Sequence, residues 1–489
     1  MSSDEDTPKE ILCFGFNQDA SCLAVGLRTG YRIYTCRPFA QRFSMENGGI
    51  GRAEMLFSSS LVALVGSGDR PAFSPRRLRL WNTKKDHTIC EVNFLTAVLS
   101  VKLNRKRVAV CLKTALHLFD ISDMNCLRTL ETAPNPDGVM ALSPNEDNCH
   151  LAFPDGEKKA SGSGGSSRGE VILYDALDLK VLNKVVACRS RVVAVSFSPD
   201  GKLLATASEQ GTVIRIFTVP AAVKTFTLRR GSTTCGIYSM AFNAAATRLA
   251  VSSSNRTIHI FDVSPGASAP GGGGGSGGGT AGGDRGRESR RSNRSSRTAG
   301  GIAAADVGLS PDGSAEGAGS NRDMRAAWRR GGEDVRGTEG SVSGGGLASG
   351  FRSVVGMLPN GVTKRVQDYV DCNRSFASVR LRQSAGRSIC ALIPAGESGV
   401  RVGRSGGPAR PGDGGGGNGN ENDEEEGEIL LVVTNEGILY SYVVDTVRGG
   451  ECRLEQASSL LMDPNASQEI GSELFGPERR APPVLAGQG

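Results

Sequence analysis

The chain has 489 residues, 12 cysteines and a formal net charge of +6. The acidic N-terminus (MSSDEDTPKE) is not a signal peptide, and no apolar run is long enough to span a bilayer, so we expect a cytosolic protein with peripheral membrane contact at most. The cysteines form no CxxC pairs and lie mostly in apolar strand contexts, which favours buried thiols over a disulfide framework.

After a short polar stretch, residues 1–9, which we expect to be disordered, a strand-rich pattern recurs along the chain. The similar segments are residues 11–34, 55–81, 98–119, 138–174, 192–217, 237–261 and 388–442. Their spacing of roughly 45 residues is that of a four-stranded propeller blade. The sequence therefore predicts an all-β, seven-bladed β-propeller. Residues 10–263 would form blades 1 to 5 and the first part of blade 6. Residues 374–460 would form the end of blade 6 and blade 7.

Two adjacent copies, residues 192–217 and 237–261, align well. Phe197 matches Phe242, and Ser208 matches Ser253. Each copy reads strand, turn, strand, turn, strand, with turn residues such as Pro199-Asp200-Gly201 between the apolar runs.

At the junction of these two copies lies the pair Arg229-Arg230, followed by Gly231. Successive side chains of an extended strand point to opposite faces, so two adjacent arginines can serve two different pockets. Arginine is also the side chain best suited to a bidentate grip on phosphate oxygens. The pair predicts recognition of two anionic groups.

Each copy also offers hydroxyl and cationic side chains near the pair, namely Ser208, Gly211, Thr212 and Arg215 upstream and Ser253, Thr257 and His259 downstream. Small hydroxyls and a glycine backbone can approach phosphate closely. The alternative is structural: the arginines would bridge blades through backbone carbonyls or carboxylates, and the Ser, Thr and His side chains would make internal hydrogen bonds. The residues alone leave both open.

Two long segments, residues 264–350 and 395–427, are dominated by glycine and polar residues, and we expect them and the tail at residues 461–489 to be disordered. The Arg-rich stretch 284–297 favours a solvated linker; contact with an anionic membrane or nucleic acid is the alternative. An RNA-binding propeller should carry aromatic residues in that stretch for stacking, and it has none.

Motifs for catalysis are missing from the sequence. None of the four histidines has a neighbour at metal-ligand spacing, and the chain contains neither a G-x-S-x-G elbow nor a phosphate loop. We therefore expect no enzymatic activity, no metal and no cofactor.

The segment Leu228-Arg229-Arg230-Gly231 resembles the signature of the PROPPIN family, the WD-repeat proteins that interact with phosphoinositides. Further similar stretches cover nearly everything outside the low-complexity segments, including residues 16–19 (FNQD), 80–84 (LWNTK), 104–112 (NRKRVAVCL), 120–132 (DISDMNCLRTLET) and 374–381 (RSFASVRL). The resemblance implies a seven-bladed propeller that binds phosphatidylinositol 3-phosphate and phosphatidylinositol 3,5-bisphosphate through two rim sites beside the arginine pair.

Carried over residue by residue, the resemblance assigns the first headgroup site to Thr206, Ser208, Gly211, Thr212, Arg215 and Arg229. It assigns the second to Arg230, Gly231, Ser253, Thr257 and His259. Gly231 would permit a backbone turn beside the pair. Ser254 competes with Ser253 for its position, because three serines run together.

The family also places a membrane-entering loop between the third and fourth strands of blade 6, here residues 264–373. Its last part, residues 351–373, has an amphipathic helical pattern suited to a membrane interface. The residues expected to insert are Val354, Val355, Met357, Leu358, Val362, Val366, Tyr369 and Val370. Packing of this segment on the propeller rim is the alternative.

The resemblance implies a lipid-dependent adaptor, monomeric in solution, which joins protein partners in autophagy or endolysosomal traffic. It would be recruited peripherally from the cytoplasm to preautophagosomal, endosomal or vacuolar/lysosomal membranes, and no nucleic-acid partner is expected. The alternative is a WD-repeat scaffold that binds only proteins. The presence of both arginines together with Thr212, Arg215 and His259 argues against that alternative.

Overall fold

The computed structural model describes residues 10–155, 169–264, 372–382, 386–396 and 427–461. All of these belong to one structural unit. The predictions for residues 1–9, for most of the two low-complexity segments and for the C-terminal tail lie outside the described residues, as do all eight side chains expected to insert into a membrane.

The first four blades each contain four antiparallel strands in sequence order. Blade 1 has β1 to β4 (Ile11–Phe16, Cys22–Leu27, Tyr31–Thr35, Ala40–Met45). Blade 2 has β5 to β8 (Ile50–Met55, Leu61–Gly66, Arg77–Asn82, His87–Asn93). Blade 3 has β9 to β12 (Ser100–Leu103, Arg107–Cys111, Ala115–Asp120, Cys126–Glu131). Blade 4 has β13 to β16 (Ala141–Leu142, His150–Pro154, Gly169–Asp175, Lys180–Cys188).

The last three blades follow the same order, with one addition. Blade 5 has β17 to β20 (Val192–Phe197, Leu203–Ser208, Val213–Thr218, Lys224–Arg229). Blade 6 has β21 to β24 (Ile237–Phe242, Arg248–Ser253, Thr257–Asp262, Ala377–Arg380), and the two-residue β28 (Gly450–Glu451) pairs in parallel with β24. Blade 7 has β25 to β27 (Ser388–Pro394, Glu428–Thr434, Ile438–Val444) and β29 (Arg453–Ser459). The seven-bladed, all-β prediction is confirmed.

The turn between the first two strands of a blade recurs with the same backbone geometry. Ala20 in blade 1, Gly201 in blade 5 and Ala246 in blade 6 have φ values of 56°, 71° and 55°. The N–H of each donates to the carbonyl three residues earlier. The left-handed conformation is costly for alanine, so the rest of the turn must impose it.

Strand alternation divides each sheet between two hydrophobic clusters, one with each neighbouring blade. In blade 5, Leu204 and Phe217 pack with side chains of blade 4. Ile214 and Leu228, on the opposite face, pack with side chains of blade 6. The two faces of one blade therefore look into two different inter-blade spaces.

Among the described strands, none is exchanged between blades 1 and 7. The Tyr34 hydroxyl donates to the Leu460 carbonyl at 2.5 Å, and Arg37 pairs with Glu455 at 2.8 Å. Buried side chains of both blades share one cluster, for example Val25 with Val433. Within the described part of the chain, no helix is long and apolar enough to cross a membrane.

Candidate functional site

The arginine pair lies where the outer strand of blade 5 ends. Arg229 is the last residue of β20 and is the cross-strand partner of Val213. The backbone N–H of Arg230 donates to the Thr212 carbonyl at 3.0 Å. The pair is thereby held against the turn that joins β18 to β19.

A first set of predicted side chains shares one face of blade 5. In the strand register, Thr206 lies opposite Arg215, and Arg215 lies opposite Thr227. Ser208 and Arg229 fall on the same face, because residues two apart along a strand point the same way. This is the face that carries Leu204 and Phe217, so it looks toward blade 4.

An electrostatic effect supports this placement of Arg215. Burial raises the pKa of the Cys188 thiol, which ends the outer strand of blade 4, and the positive charge of Arg215 opposes that rise. Arg215 therefore lies close to blade 4. We call the set Thr206, Ser208, Arg215 and Arg229 the blade 4/5 cluster.

A second set shares one face of blade 6. Thr257 and His259 lie on either side of Ile258 along β23, and His259 lies opposite Val251 of β22. Ser253 is two residues beyond Val251 on β22 and so points to the same face. Val251 packs in the cluster that joins blades 5 and 6, so this face looks toward blade 5. We call Ser253, Thr257, His259 and Arg230 the blade 5/6 cluster.

Arg230 reaches this second cluster from the other side of the interface. Burial lowers the pKa of His259, and the positive charge of Arg230 lowers it further. The Nδ1 atom of His259 is buried and has no hydrogen-bond partner among the described residues. A neutral imidazole with an unpartnered nitrogen therefore lies beside a buried guanidinium.

The two arginines differ sharply in environment. Arg229 is half-buried, whereas only 5% of Arg230 is exposed. The Arg230 guanidinium donates from Nε to the Gly211 carbonyl at 2.9 Å and from Nη2 to the Thr233 carbonyl. These bonds use two of the five N–H groups of an arginine, so three donors remain.

Gly211 was predicted to belong with Arg229, but its carbonyl is bound by Arg230. Its φ is +57°, and a Cβ at this position would lie 2.0 Å from the Cys235 carbonyl oxygen. Both the conformation and the close approach require glycine. Gly211 therefore shapes the turn that anchors Arg230.

Gly231 does not have the role that was predicted for it. Its φ lies outside the left-handed region, and a Cβ would meet no atom within 4 Å. No backbone turn at this position depends on glycine. The conformation of the pair is set by Gly211 and by the carbonyls that bind Arg230.

Several predicted hydroxyls already have internal partners. Thr206 Oγ1 donates to the Arg215 carbonyl at 3.3 Å. The single proton of Ser253 Oγ is shared between Asn255 Oδ1 at 2.6 Å and the Thr257 carbonyl at 3.1 Å. The Ser254 hydroxyl instead accepts from the backbone N–H of Gly236 at 3.0 Å. Of the two competing serines, Ser253 is the one on the face of the cluster.

The PROPPIN family model matches residues 10–271. The autophagy-related protein 18 of Mycosarcoma maydis is 38% identical over 486 residues, which cover 93% of each chain. The chain belongs to the PROPPIN family. The autophagy-related protein 18 of Yarrowia lipolytica is 45% identical over 266 residues, which cover 52% of this chain and 66% of that protein.

Solved structures share the PROPPIN fold. The complex of KlAtg21 with the coiled-coil of AgAtg16 has a TM-score of 0.57 at 22% identity, covering 92% of this chain and 99% of that one. Kluyvelomyces marxianus Hsv2 has a TM-score of 0.55 at 14% identity, covering 93% and 100%. Membership of the PROPPIN family supports an autophagy-related role that involves phosphoinositide binding.

One contact beside the arginine pair could not be found from sequence. The Asn373 carbonyl accepts from the Arg229 N–H at 2.8 Å, and the Asn373 N–H donates to the Thr227 carbonyl at 3.0 Å. Asn373 was predicted to end the amphipathic segment, yet it forms a parallel bridge with Leu228. The chain that returns to β24 is thus tied to the strand that carries the arginine pair.

The described residues contain no group of three or more His, Cys, Asp or Glu side chains that could hold a metal ion. All twelve cysteines are free thiols.

Proposed function

We propose that this protein binds phosphatidylinositol 3-phosphate and phosphatidylinositol 3,5-bisphosphate on membranes through two headgroup sites, and acts there as an adaptor in autophagosome formation or endolysosomal traffic. The observation that carries the proposal is the separation of the two arginines. Arg229 shares a face with Arg215 toward blade 4, whereas Arg230 meets His259 toward blade 6. Two anions can therefore be held without competing for one cation.

In the blade 4/5 site, Arg215 and Arg229 supply the positive charge. Directly opposite side chains of an antiparallel pair have Cβ atoms roughly 5 Å apart, and diagonal neighbours are roughly 7–8 Å apart. Arg215 and Arg229 are diagonal neighbours, because Arg215 pairs with Thr227. That spacing suits two guanidiniums that grip one phosphate from two sides. Thr212, at the adjoining turn, adds a hydroxyl.

In the blade 5/6 site, the remaining donors of Arg230 and the imidazole of His259 face the ligand, with the hydroxyl of Thr257. The pKa of His259 is lowered because burial and Arg230 both disfavour its charged form. A phosphate between the two groups would offset both effects. Ser253 is committed to the turn and positions Thr257 through its bond to that residue's carbonyl.

Two sites on one rigid unit convert the second contact into an intramolecular event, which raises avidity without any stronger single site. Insertion of the predicted amphipathic residues would add an apolar contact that resists salt. Protein partners in autophagy are part of the proposal, since a structural neighbour of this chain is a complex with a coiled-coil.

The proposal is tested by flotation with liposomes that carry the 3-phosphate, the 3,5-bisphosphate or neither lipid. We expect the full chain to float only with the phosphoinositides, and the variant Arg229→Thr/Arg230→Thr to lose at least about tenfold in affinity, since hydrogen bonds to charged groups contribute roughly 1.5–3 kcal/mol each.

The matched control is Arg70→Thr/Arg76→Thr, which removes two exposed arginines from blade 2 and should bind like the parent. Equal recovery of the Arg229→Thr/Arg230→Thr variant and the parent on phosphoinositide liposomes would refute lipid recognition. That result would favour the protein-only scaffold.

A further inference from the structure

The outer strand of blade 6 carries an arginine on the face that looks toward blade 5. Ala377 and Val379 of β24 pack in the cluster shared with blade 7, so Ser378 and Arg380 point the opposite way. The strand register agrees, because Thr257 of the blade 5/6 cluster lies directly opposite Arg380. Arg380 therefore lies beside the second headgroup site, although none of the residues predicted for that site is on β24.

The repeat relates Arg380 to an arginine of the other cluster. Arg229 pairs with the first residue of β19, and Arg380 pairs with the first residue of β23. Arg215 and His259 are the third residues of the same two strands. Each cluster therefore has an arginine on the outer strand of its blade, diagonal to an arginine or a histidine on the third strand. By this rule the counterpart of Arg229 in the blade 5/6 cluster is Arg380.

The blade 5/6 cluster has little positive charge without this arginine. Burial and the positive charge of Arg230 both lower the pKa of His259, so its imidazole is neutral near pH 7. Arg230 is charged, but two of its five N–H donors are bound to backbone carbonyls. The blade 4/5 cluster has two arginines on the face of its blade. With Arg380, the blade 5/6 cluster also has two guanidiniums.

The guanidinium of Arg380 is accessible to a ligand. The residue is exposed, and it makes no hydrogen bond or ion pair with the residues that the structure describes. Its Cβ atom should be roughly 5 Å from that of Thr257, its direct partner, and roughly 7–8 Å from that of His259, its diagonal neighbour. A side chain as long as arginine spans these distances. Its guanidinium can therefore grip a phosphate that also meets the hydroxyl and the imidazole.

We propose that Arg380 is the second phosphate-binding cation of the blade 5/6 site. The phosphate is held between Arg380 and Arg230, with Thr257 and His259 as hydrogen-bonding groups. This inference rests on the proposed function, because it adds a ligand-binding residue to a site proposed there. It also gives a role to residues 374–381, a stretch that resembles the family but contributes no residue to either predicted set.

The test isolates the blade 5/6 site by means of the full chain with Arg215→Gln/Arg229→Gln. This variant is titrated calorimetrically with inositol 1,3-bisphosphate, the soluble headgroup of phosphatidylinositol 3-phosphate. We expect one saturable site, and we expect Arg380→Gln to lower its affinity at least about tenfold, through the loss of charge-assisted hydrogen bonds. Arg380 is exposed, so its substitution should leave the melting temperature of the unliganded chain unchanged.

The matched control is Arg382→Gln, which removes the same charge two residues further along the chain. Burial and the negative charge of Glu436 raise the pKa of Tyr440, and the positive charge of Arg382 opposes that rise. Arg382 therefore lies close to a side chain of blade 7. Adding Arg382→Gln to the isolated site should leave the affinity for inositol 1,3-bisphosphate unchanged.

Flotation on phosphatidylinositol 3-phosphate liposomes tests whether the site takes the lipid itself. Arg380→Gln and Arg215→Gln/Arg229→Gln act on different sites, so their effects should multiply. Arg380→Gln and Thr257→Val/His259→Phe act on one site, so their combined effect should be smaller than the product. Effects that multiply in both combinations would contradict a shared site.

Two calorimetric results would overturn the role of Arg380 and leave the proposed function standing. One is an isolated site that ignores Arg380→Gln or is weakened equally by Arg382→Gln. The other is a parent that binds inositol 1,3-bisphosphate while the Arg215→Gln/Arg229→Gln variant binds none. A parent that binds neither the soluble headgroup nor the liposomes would refute the proposed function, and the role of Arg380 with it.

Discussion

Replacing Arg230 with methionine should lower the free energy of unfolding by about 2–4 kcal/mol, whereas Arg229→Met should change it by less than about 1 kcal/mol. The Arg230 guanidinium is buried and binds the carbonyls of Gly211 and Thr233. Methionine keeps much of the side-chain volume but leaves both carbonyls without their donor. Arg229 is half-buried, so water can replace the contacts of its guanidinium.

The difference is measured by urea unfolding of the full chain, followed by far-UV circular dichroism. Equal destabilisation by the two substitutions would contradict a structural role that belongs to Arg230 alone. The prediction also bears on lipid binding. A double-arginine variant combines a lost ligand contact with a loosened turn, so its melting temperature must be recorded alongside its flotation.

Gly211→Ala should destabilise the protein by more than about 2 kcal/mol, because the left-handed backbone conformation is strained for alanine and the added Cβ overlaps a backbone atom. The φ of +57° and the 2.0 Å approach to the Cys235 oxygen are the two causes. Relief of the overlap would move the carbonyl that holds Arg230. We therefore expect weakened binding at the blade 5/6 site as well as lower stability.

Gly231→Ala is the matched control for this prediction. A Cβ there meets nothing within 4 Å and the backbone is not left-handed, so stability should stay within about 0.5 kcal/mol of the parent. Both variants are compared by thermal unfolding of the full chain. A Gly231→Ala variant as unstable as Gly211→Ala would show that the glycine of the signature is needed for the fold after all.

Much of the architecture could be predicted from local pattern. The repeat spacing gave seven blades, and the alternation of side chains along β20 predicted that Arg229 and Arg230 face different blades. Alternation is a property of any extended strand, so the matched copies were sufficient to assign Arg215 and His259 to equivalent faces of successive blades, and therefore to two different inter-blade spaces. The register of β19 with β20 and of β22 with β23 agrees with both assignments.

What could not be predicted depends on contacts between residues distant along the chain. Nothing in the signature indicates that Arg230 donates to the carbonyls of Gly211 and Thr233, or that Gly211 is the glycine that the backbone needs. The bridge between Asn373 and Leu228 joins residues 145 positions apart and uses only main-chain atoms, so no pattern of side chains could predict it.

The most direct test of the two-site account is flotation on phosphatidylinositol 3-phosphate liposomes of four proteins. They are the parent, Arg215→Gln/Arg229→Gln, Thr257→Val/His259→Phe, and the combination of all four substitutions. Each pair leaves Arg230 and the turn at Gly211 intact. We expect each pair alone to weaken binding and the combination to weaken it by about the product of the two effects, as for independent sites. A combination no weaker than either pair alone, or a pair that leaves binding unchanged, would contradict the claim that the two arginines serve two separate sites.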